Sequence, residues 1–295
     1  MPTRYLSAQD GTRLAVYEEG NPAGPTVVLV HGWPDTHVVW DGVAALLADS
    51  HRIVRYDNRG AGESDVPRGV AAYDLATLAD DLGAVIDAVS PDAPVHVVGH
   101  DWGGATVWEY VSRPQAASRV ASYTSVSGPD PRHVSRYVRE GLVRPYRPRR
   151  FARAVAQAAH FSYMFFFSIP VLTPAAMRGF LARRINRHLI APGVPPPQRH
   201  QASTFVADAT NGLKIYRANF FPALLGPVSD PRVEVPVQLL VNTADKFVRP
   251  HVYDDTARWV SRLWRRDVPA GHWSPMSHPQ VIAAAVAELV SHLGG

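Results

Sequence analysis

The rhythm of apolar and polar positions changes several times along this chain. Arg4 to Ser7 and Leu14 to Glu18 alternate in polarity around an Asp10-Gly11 turn signal, which predicts an antiparallel hairpin at a sheet edge. Thr26 to Val30 is continuously apolar, as suits a strand covered on both faces by helices. Val38 to Leu47 takes up helical spacing, and Arg52 to Tyr56 reads as the next strand. Leu75 to Val89 carries apolar residues at 75, 78, 82, 85, 86 and 89, one stripe of an amphipathic helix. A valine-rich run from Val95 to Val98, a helical segment from Gly104 through Val111 and a strand from Val120 to Val126 follow. Strand and helix alternating in this way argue for an α/β fold: a mostly parallel sheet flanked by helices, with its chemistry outside the carboxyl ends of the strands.

After Val126 the pattern changes. From about Pro129 to Pro227 the chain is arginine-rich and aromatic, its spacing is helical, and Ala191 to Pro197 is dense in proline. This stretch reads as an inserted helical cap. The alternation resumes with a strand from Val237 to Val241, a helix from Val252 to Arg262, a short strand from Trp264 to Val268 and a final helix from Pro279 to Leu293. The expected division is a core of residues 1–128 and 228–295 with a cap, or lid, of residues 129–227.

Composition narrows the function classes. The 295 residues are 46% hydrophobic and 19% charged, in keeping with a globular chain long enough for one large core and a smaller lobe. With no cysteine, disulfides, thiolate metal sites and cysteine nucleophiles are excluded. Histidines and carboxylates do not cluster at metal-ligand spacing, so no metal is expected. Met1 to Gly11 is too polar for a secretory signal, and the longest apolar run, Phe161 to Leu172, is short for a bilayer span and holds Pro170. A cytoplasmic protein is the expectation. The net charge of +4 rests almost wholly on arginine, since Lys214 and Lys246 are the only lysines. Between Arg132 and Arg153 stand eight arginines against one acid, Glu140. The plain reading is a solvated face; the sharper one is attraction to an acidic substrate or peripheral contact with an anionic membrane. Nucleic acid is not expected, because no recognised binding module accompanies the charge.

The candidate chemistry centres on Val97-Val98-Gly99-His100-Asp101-Trp102-Gly103-Gly104. A strand, a sharp glycine-flanked turn and a helix form a nucleophile elbow with aspartate at its tip. Glycine is required because the turn is strained and its neighbours approach closely. An aspartate carboxylate is charged at neutral pH without help from a base, so it suits attack on a saturated carbon.

Together, His31-Gly32-Trp33-Pro34, Asp101-Trp102-Gly103-Gly104 and Gly271-His272 in that order resemble the α/β-hydrolase superfamily and, within it, the epoxide hydrolases. The likeness covers essentially the whole chain, and is particular to the hydrolase half of mycobacterial proteins that fuse an epoxide hydrolase to a short-chain dehydrogenase. What that resemblance implies, as an expectation, is one part of a longer protein with a C-terminal dehydrogenase domain. The superfamily order of nucleophile, acid, histidine implies His272 as general base and Asp245 as the acid orienting it, with Asp130 as rival. It also implies an oxyanion hole from the backbone N–H groups of Trp33 and Trp102, and no cofactor. A cis Trp33-Pro34 bond would fix that loop. His100 and His31 read as braces of the elbow and the oxyanion loop.

Opening an epoxide leaves an alkoxide that needs a proton donor. The family uses two lid tyrosines, matched here by Tyr163 and Tyr216, although Ser168 stands where glutamine is common. Tyr137, Tyr146 and Tyr123 are the spare phenols. Trp33, Trp102, Phe165, Phe166 and Phe167 are expected to line the pocket for a hydrophobic, lipid-derived epoxide. A haloalkane dehalogenase shares the carboxylate and histidine machinery, but Trp33 stands where it commonly has asparagine. A non-catalytic binding module is the reading from another class; it gives no reason to pair a nucleophile with a base.

Overall fold

A computed structural model describes residues 1–195, 202–226 and 232–294. Eight strands form one sheet: β1 (Arg4–Ser7), β2 (Arg13–Gly20), β3 (Thr26–Val30), β4 (Arg52–Tyr56), β5 (Val95–His100), β6 (Val120–Val126), β7 (Val237–Asn242) and β8 (Leu263–Val268). Their spatial order is β1-β2-β4-β3-β5-β6-β7-β8. β1 with β2 and β2 with β4 are antiparallel, and every later pair is parallel. The hairpin therefore lies at one edge of a parallel sheet, as the alternation at the N-terminus predicts.

Helices α1 (Asp41–Leu47), α2 (Leu75–Val89), α3 (Trp102–Val111) and α4 (Ala116–Arg119) connect the strands up to β6, and α12 (Ser274–Ser277) and α13 (Pro279–Gly294) close the chain. The continuous apolar strands are explained by burial on both faces. In β3, Val28 and Val30 join a cluster with Leu82, Val85 and Val107 of α2 and α3, while Val27 and Leu29 join one with Val43, Leu47, Ile282 and Val286 of α1 and α13. Each such side chain is worth about 1.5–3 kcal/mol on burial. Asp74 starts α2 where its sequence pattern starts, by accepting the Thr77 N–H at 2.7 Å.

Between β6 and β7 the described residues form α5 (Pro131–Leu142), α6 (Pro148–His160), α7 (Ser162–Phe167), α8 (Leu172–Ala176), α9 (Ala182–Ile185), α10 (Phe205–Asn211) and α11 (Leu213–Leu225). From Leu172 to Ile190 α and π turns succeed one another. The expected core boundary at 227/228, with Pro196 and Pro197 of the proline connector, lies outside the described residues.

One predicted helix does not form. Instead of a helix over 252–262, the chain makes two short 3-10 turns, Pro250–Tyr253 and Thr256–Arg258. Asp254 and Asp255 favour turns over helix interiors, and they are drawn outward to Arg265 at 3.1 Å and Arg150 at 2.5 Å. The Trp259 ring stacks on His133 of α5 with centroids 4.0 Å apart.

Candidate active site

Asp101 sits between β5 and α3 with φ 53° and ψ −126°, a backbone conformation that L-residues rarely adopt. The surrounding glycines explain how the turn is tolerated. A Cβ on Gly103 would lie 2.3 Å from the His31 carbonyl, and one on Gly32 would lie 2.4 Å from Asp101 Oδ1. The loop after β3 can thus touch the Asp101 carboxylate only because residue 32 has no side chain. Trp33 exploits the approach: its backbone N–H donates to Asp101 Oδ1 at 2.8 Å. The Trp33-Pro34 bond is cis.

The other carboxylate oxygen faces the histidine. Asp101 Oδ2 is 3.3 Å from His272 Nε2, and His272 Nδ1 is 2.8 Å from Asp245 Oδ2. His272 and Asp245 are both buried. Burial by itself would lower the imidazole, but the Asp245 and Asp101 carboxylates outweigh it and lift His272 to about 10. Asp245 shows the converse. Burial would raise its carboxyl, yet the His272 charge and the N–H groups of Val248 and Phe247 hold it below the usual carboxylate range. Asp130 is engaged elsewhere: it caps α5 and takes Arg132 Nη2 at 2.7 Å.

Several residues with no assigned role in the sequence hold this constellation. Asn242 Nδ2 lies within hydrogen-bonding distance of Ser127 Oγ at 2.7 Å, the Gly271 carbonyl at 2.8 Å and Ser274 Oγ at 2.8 Å, so it pins the loop that carries His272. Asp35 accepts the Trp273 indole N–H at 3.1 Å. Its burial, with the Asp101 charge nearby, pushes its carboxyl up to about 7. A polar residue at the very end of a buried strand, as Asn242 is, was the available signal. The two histidines expected to brace the site are so placed: His100 Nε2 is 3.0 Å from the His272 carbonyl, and His31 Nε2 accepts the Asn58 N–H at 2.9 Å.

Two cavities meet at Asp101. One, about 130 Å³, runs toward α5 and α11 past Trp102, Phe161, Met164, Phe220 and Leu224. The other, about 30 Å³, is lined by Trp33, Phe167, Phe247, His272 and both Tyr163 and Tyr216. The two phenol rings are 6.3 Å apart, and Tyr216 meets Trp33 and Trp102 edge to face at 5.3 Å each. Burial, reinforced by charge, raises both phenols well above 10: Asp101 and Asp245 act on Tyr163, Tyr163 and Asp101 on Tyr216. Both hydroxyls therefore keep their protons.

Of the three expected phenylalanines only Phe167 lines either of these two cavities. Phe165 is 56% exposed and Phe166 39%. In the short helix α7, Tyr163 and Phe167 are four residues apart and share the inner face, which turns 165 and 166 outward.

Among known proteins, a family model described as alpha/beta hydrolase fold matches residues 25–279. "Probable oxidoreductase EphD" of Mycobacterium tuberculosis (strain ATCC 25618 / H37Rv) is 53% identical over 296 residues, which cover 99% of this chain and 50% of that protein. The chain thus spans about half the length of these curated relatives. "Epoxide hydrolase A" of the same strain is 28% identical over 331 residues, covering 99% of this chain and 98% of that one. A crystal structure of a Bacillus megaterium epoxide hydrolase in complex with an inhibitor matches with a TM-score of 0.80 and 19% identity, over 98% of this chain and 100% of that one, a likeness of fold. The eight-stranded sheet, the aspartate elbow and the family match over 25–279 agree: the chain belongs to the alpha/beta hydrolase fold family.

Proposed function

We propose that this chain is an epoxide hydrolase that converts a hydrophobic epoxide and water to a vicinal diol through an ester on Asp101. One observation carries the reading: a single carboxylate stands between a buried histidine-aspartate pair and two protonated phenols, 3.3 Å from the former and sharing a cavity with the latter. A serine hydrolase has no use for the phenols, and a halide departs without a proton.

In this scheme Asp101 Oδ2 attacks an epoxide carbon, the carbon–oxygen bond of the ring breaks, and the alkoxide takes a proton from Tyr163 or Tyr216. Ester formation removes the Asp101 charge. One of the two carboxylates holding the His272 proton is then gone, so the imidazolium releases it to the phenolate and becomes a base at the moment one is needed. His272 Nε2 takes a proton from water, and the hydroxide adds to the ester carbonyl. The negative charge gathers on Oδ1, where the Trp33 N–H already points, and the Trp102 N–H is proposed as the second donor. Collapse expels the diol oxygen, which takes the proton of the added hydroxyl, and Asp101 returns as a carboxylate. The helices between β6 and β7 act as the cap that supplies both phenols, and the reaction calls on no metal or cofactor.

The test is a single turnover of an aryl epoxide in water labelled with heavy oxygen, with enzyme in excess. Diol whose new oxygen is unlabelled supports the ester. Fully labelled diol in the first turnover would mean that water attacks the epoxide directly; absence of diol, with halide released from haloalkanes, would favour dehalogenation.

A further inference from the structure

Residues 131–226 contain fifteen arginines and lysines against two acids, Glu140 and Asp208, a formal charge of +13. The rest of the chain has fifteen basic and twenty-four acidic residues, −9, so the modest overall charge conceals a strong polarity between the helical segment and the sheet. Arg178, Arg183, Arg184 and Arg187 are exposed and meet no carboxylate among the described residues.

An apolar strip lies within this basic segment. Phe165 of α7 packs against Phe221 of α11 with ring centroids 6.2 Å apart, and Leu224 and Leu225 follow in the next turn, Leu225 being 76% exposed. One turn before Phe221, Arg217 donates to the Ile169 carbonyl at 3.1 Å, and the chain leads from there to Val171, 81% exposed, and Leu172. At the far end Arg139 donates to the carbonyls of Leu224 at 2.6 Å and Gly226 at 2.9 Å. Neither guanidinium faces a carboxylate among the described residues. Phe220 and Leu224 also line the larger cavity, and Leu224 is half exposed, so the way to Asp101 opens within the strip.

Contiguous exposed apolar surface marks an interaction site. Guanidiniums along its length select an anionic occupant. A second copy would set +13 against +13, and a nucleic acid would leave the apolar side chains in water. A bilayer with anionic headgroups satisfies both halves of the surface, because it offers negative charge at its surface and acyl chains beneath. We propose that the face carrying Phe165, Val171, Phe221, Leu224 and Leu225 docks on an anionic lipid bilayer, with the cavity mouth against the acyl chains. That an epoxide enters from the bilayer rests on the activity proposed above; the docking does not.

Co-sedimentation with vesicles of phosphatidylcholine alone, or with about 30% phosphatidylglycerol, tests the proposal. The protein should partition onto the anionic vesicles at least about tenfold better than onto neutral ones, and lose that preference at about 0.5 M salt as screening shortens. The double variant Leu225→Asp, Val171→Asp should bind anionic vesicles at least about tenfold more weakly. Neither residue lines either cavity at Asp101, so its melting temperature and turnover of a small soluble epoxide should match the parent's. Equal binding to both vesicle types, binding to neither, or undiminished binding by a folded variant overturns the proposal, as does retention on heparin without vesicle binding. No substrate is present, so sedimentation reads docking even if the parent turns over no epoxide.

Discussion

Asp245→Asn separates the two halves of the proposed reaction. Asp245 Oδ1 accepts the N–H groups of Phe247 at 2.6 Å and Val248 at 3.0 Å, while Oδ2 faces His272 Nδ1 at 2.8 Å. Asparagine keeps this shape, and the two backbone donors hold its oxygen in place of Oδ1. The amide NH₂ is then turned on His272 Nδ1. A donor there selects the tautomer protonated at Nε2, which cannot accept a proton from water. The charge is lost as well: at 2.8 Å and an effective dielectric constant of about 20 the ion pair is worth about 6 kcal/mol. That matches the ~10⁴-fold loss in kcat expected when a triad aspartate becomes asparagine. Attack by Asp101 needs no base, so ester formation should fall less than about tenfold, by the same logic that confines general-base effects to the step that uses the base. The assay mixes the protein with an aryl epoxide and follows intact mass. The parent should return to its own mass as diol appears, whereas the variant should accumulate protein carrying one substrate. Equal loss in ester formation and diol release would refute the division of labour. Unchanged turnover would remove Asp245 and reopen the case for Asp130.

Tyr163→Phe and Tyr216→Phe should each slow ester formation by about 10²-fold and spare its hydrolysis; rapid-quench traces showing the hydrolytic step slowed instead would place the phenols elsewhere in the cycle. Arg59 holds buried Asp81 at 2.6 Å and Asp10 at 2.7 Å. Arg59→Ala strands the Asp81 charge and should cost about 3–5 kcal/mol, read from the urea midpoint; a cost under about 1 kcal/mol would show that the pair does not hold the loop after β4. Asp35 supplies a pH test. Burial raises its folded carboxyl from 3.8 to about 7, so between those values the native state binds the proton that the unfolded chain gives up. That contribution lowers stability as pH rises through the window. Asp35→Asn should flatten that part of the slope, and melting temperatures at pH 5 and 8 that change as in the parent would contradict it.

How much was legible beforehand follows from what set each element. β3, β4, β6 and α2 begin and end where their apolar patterns do, because those residues are buried against both layers and few alternatives compete. The positions of Asp101, His272 and Asp245 are equally readable, since each follows the carboxyl end of a strand. Contacts from distant segments decide the rest. The 252–262 stretch has helical apolar spacing, but Asp254 and Asp255 are paired with Arg153 and Arg150, far back along the chain. Three successive phenylalanines carry no period, so the packing of α7 on α11 alone settles that Phe167 faces inward and Phe165 outward. Asn242 and Ser127 look like ordinary turn residues until the His272 loop is folded over them.

The same close packing gives the two oxygens of Asp101 different work. Gly32 brings the Trp33 N–H to Oδ1, and His272 stands beside Oδ2. In the proposed cycle the oxygen beside the histidine becomes the ester oxygen, and the one beside the N–H remains the carbonyl that receives negative charge. Water activated at Nε2 approaches from the histidine side, so its oxygen replaces Oδ2 while Oδ1 stays in its donor. A carboxylate free to rotate would scramble the two between turnovers. Here rotation requires breaking the Trp33 contact in a space that a single Cβ at residue 32 would fill. In that proposed cycle glycine at position 32 is tied to the chemistry itself: it sets the distance at which one carboxylate would serve as nucleophile with one atom and as incipient oxyanion with the other.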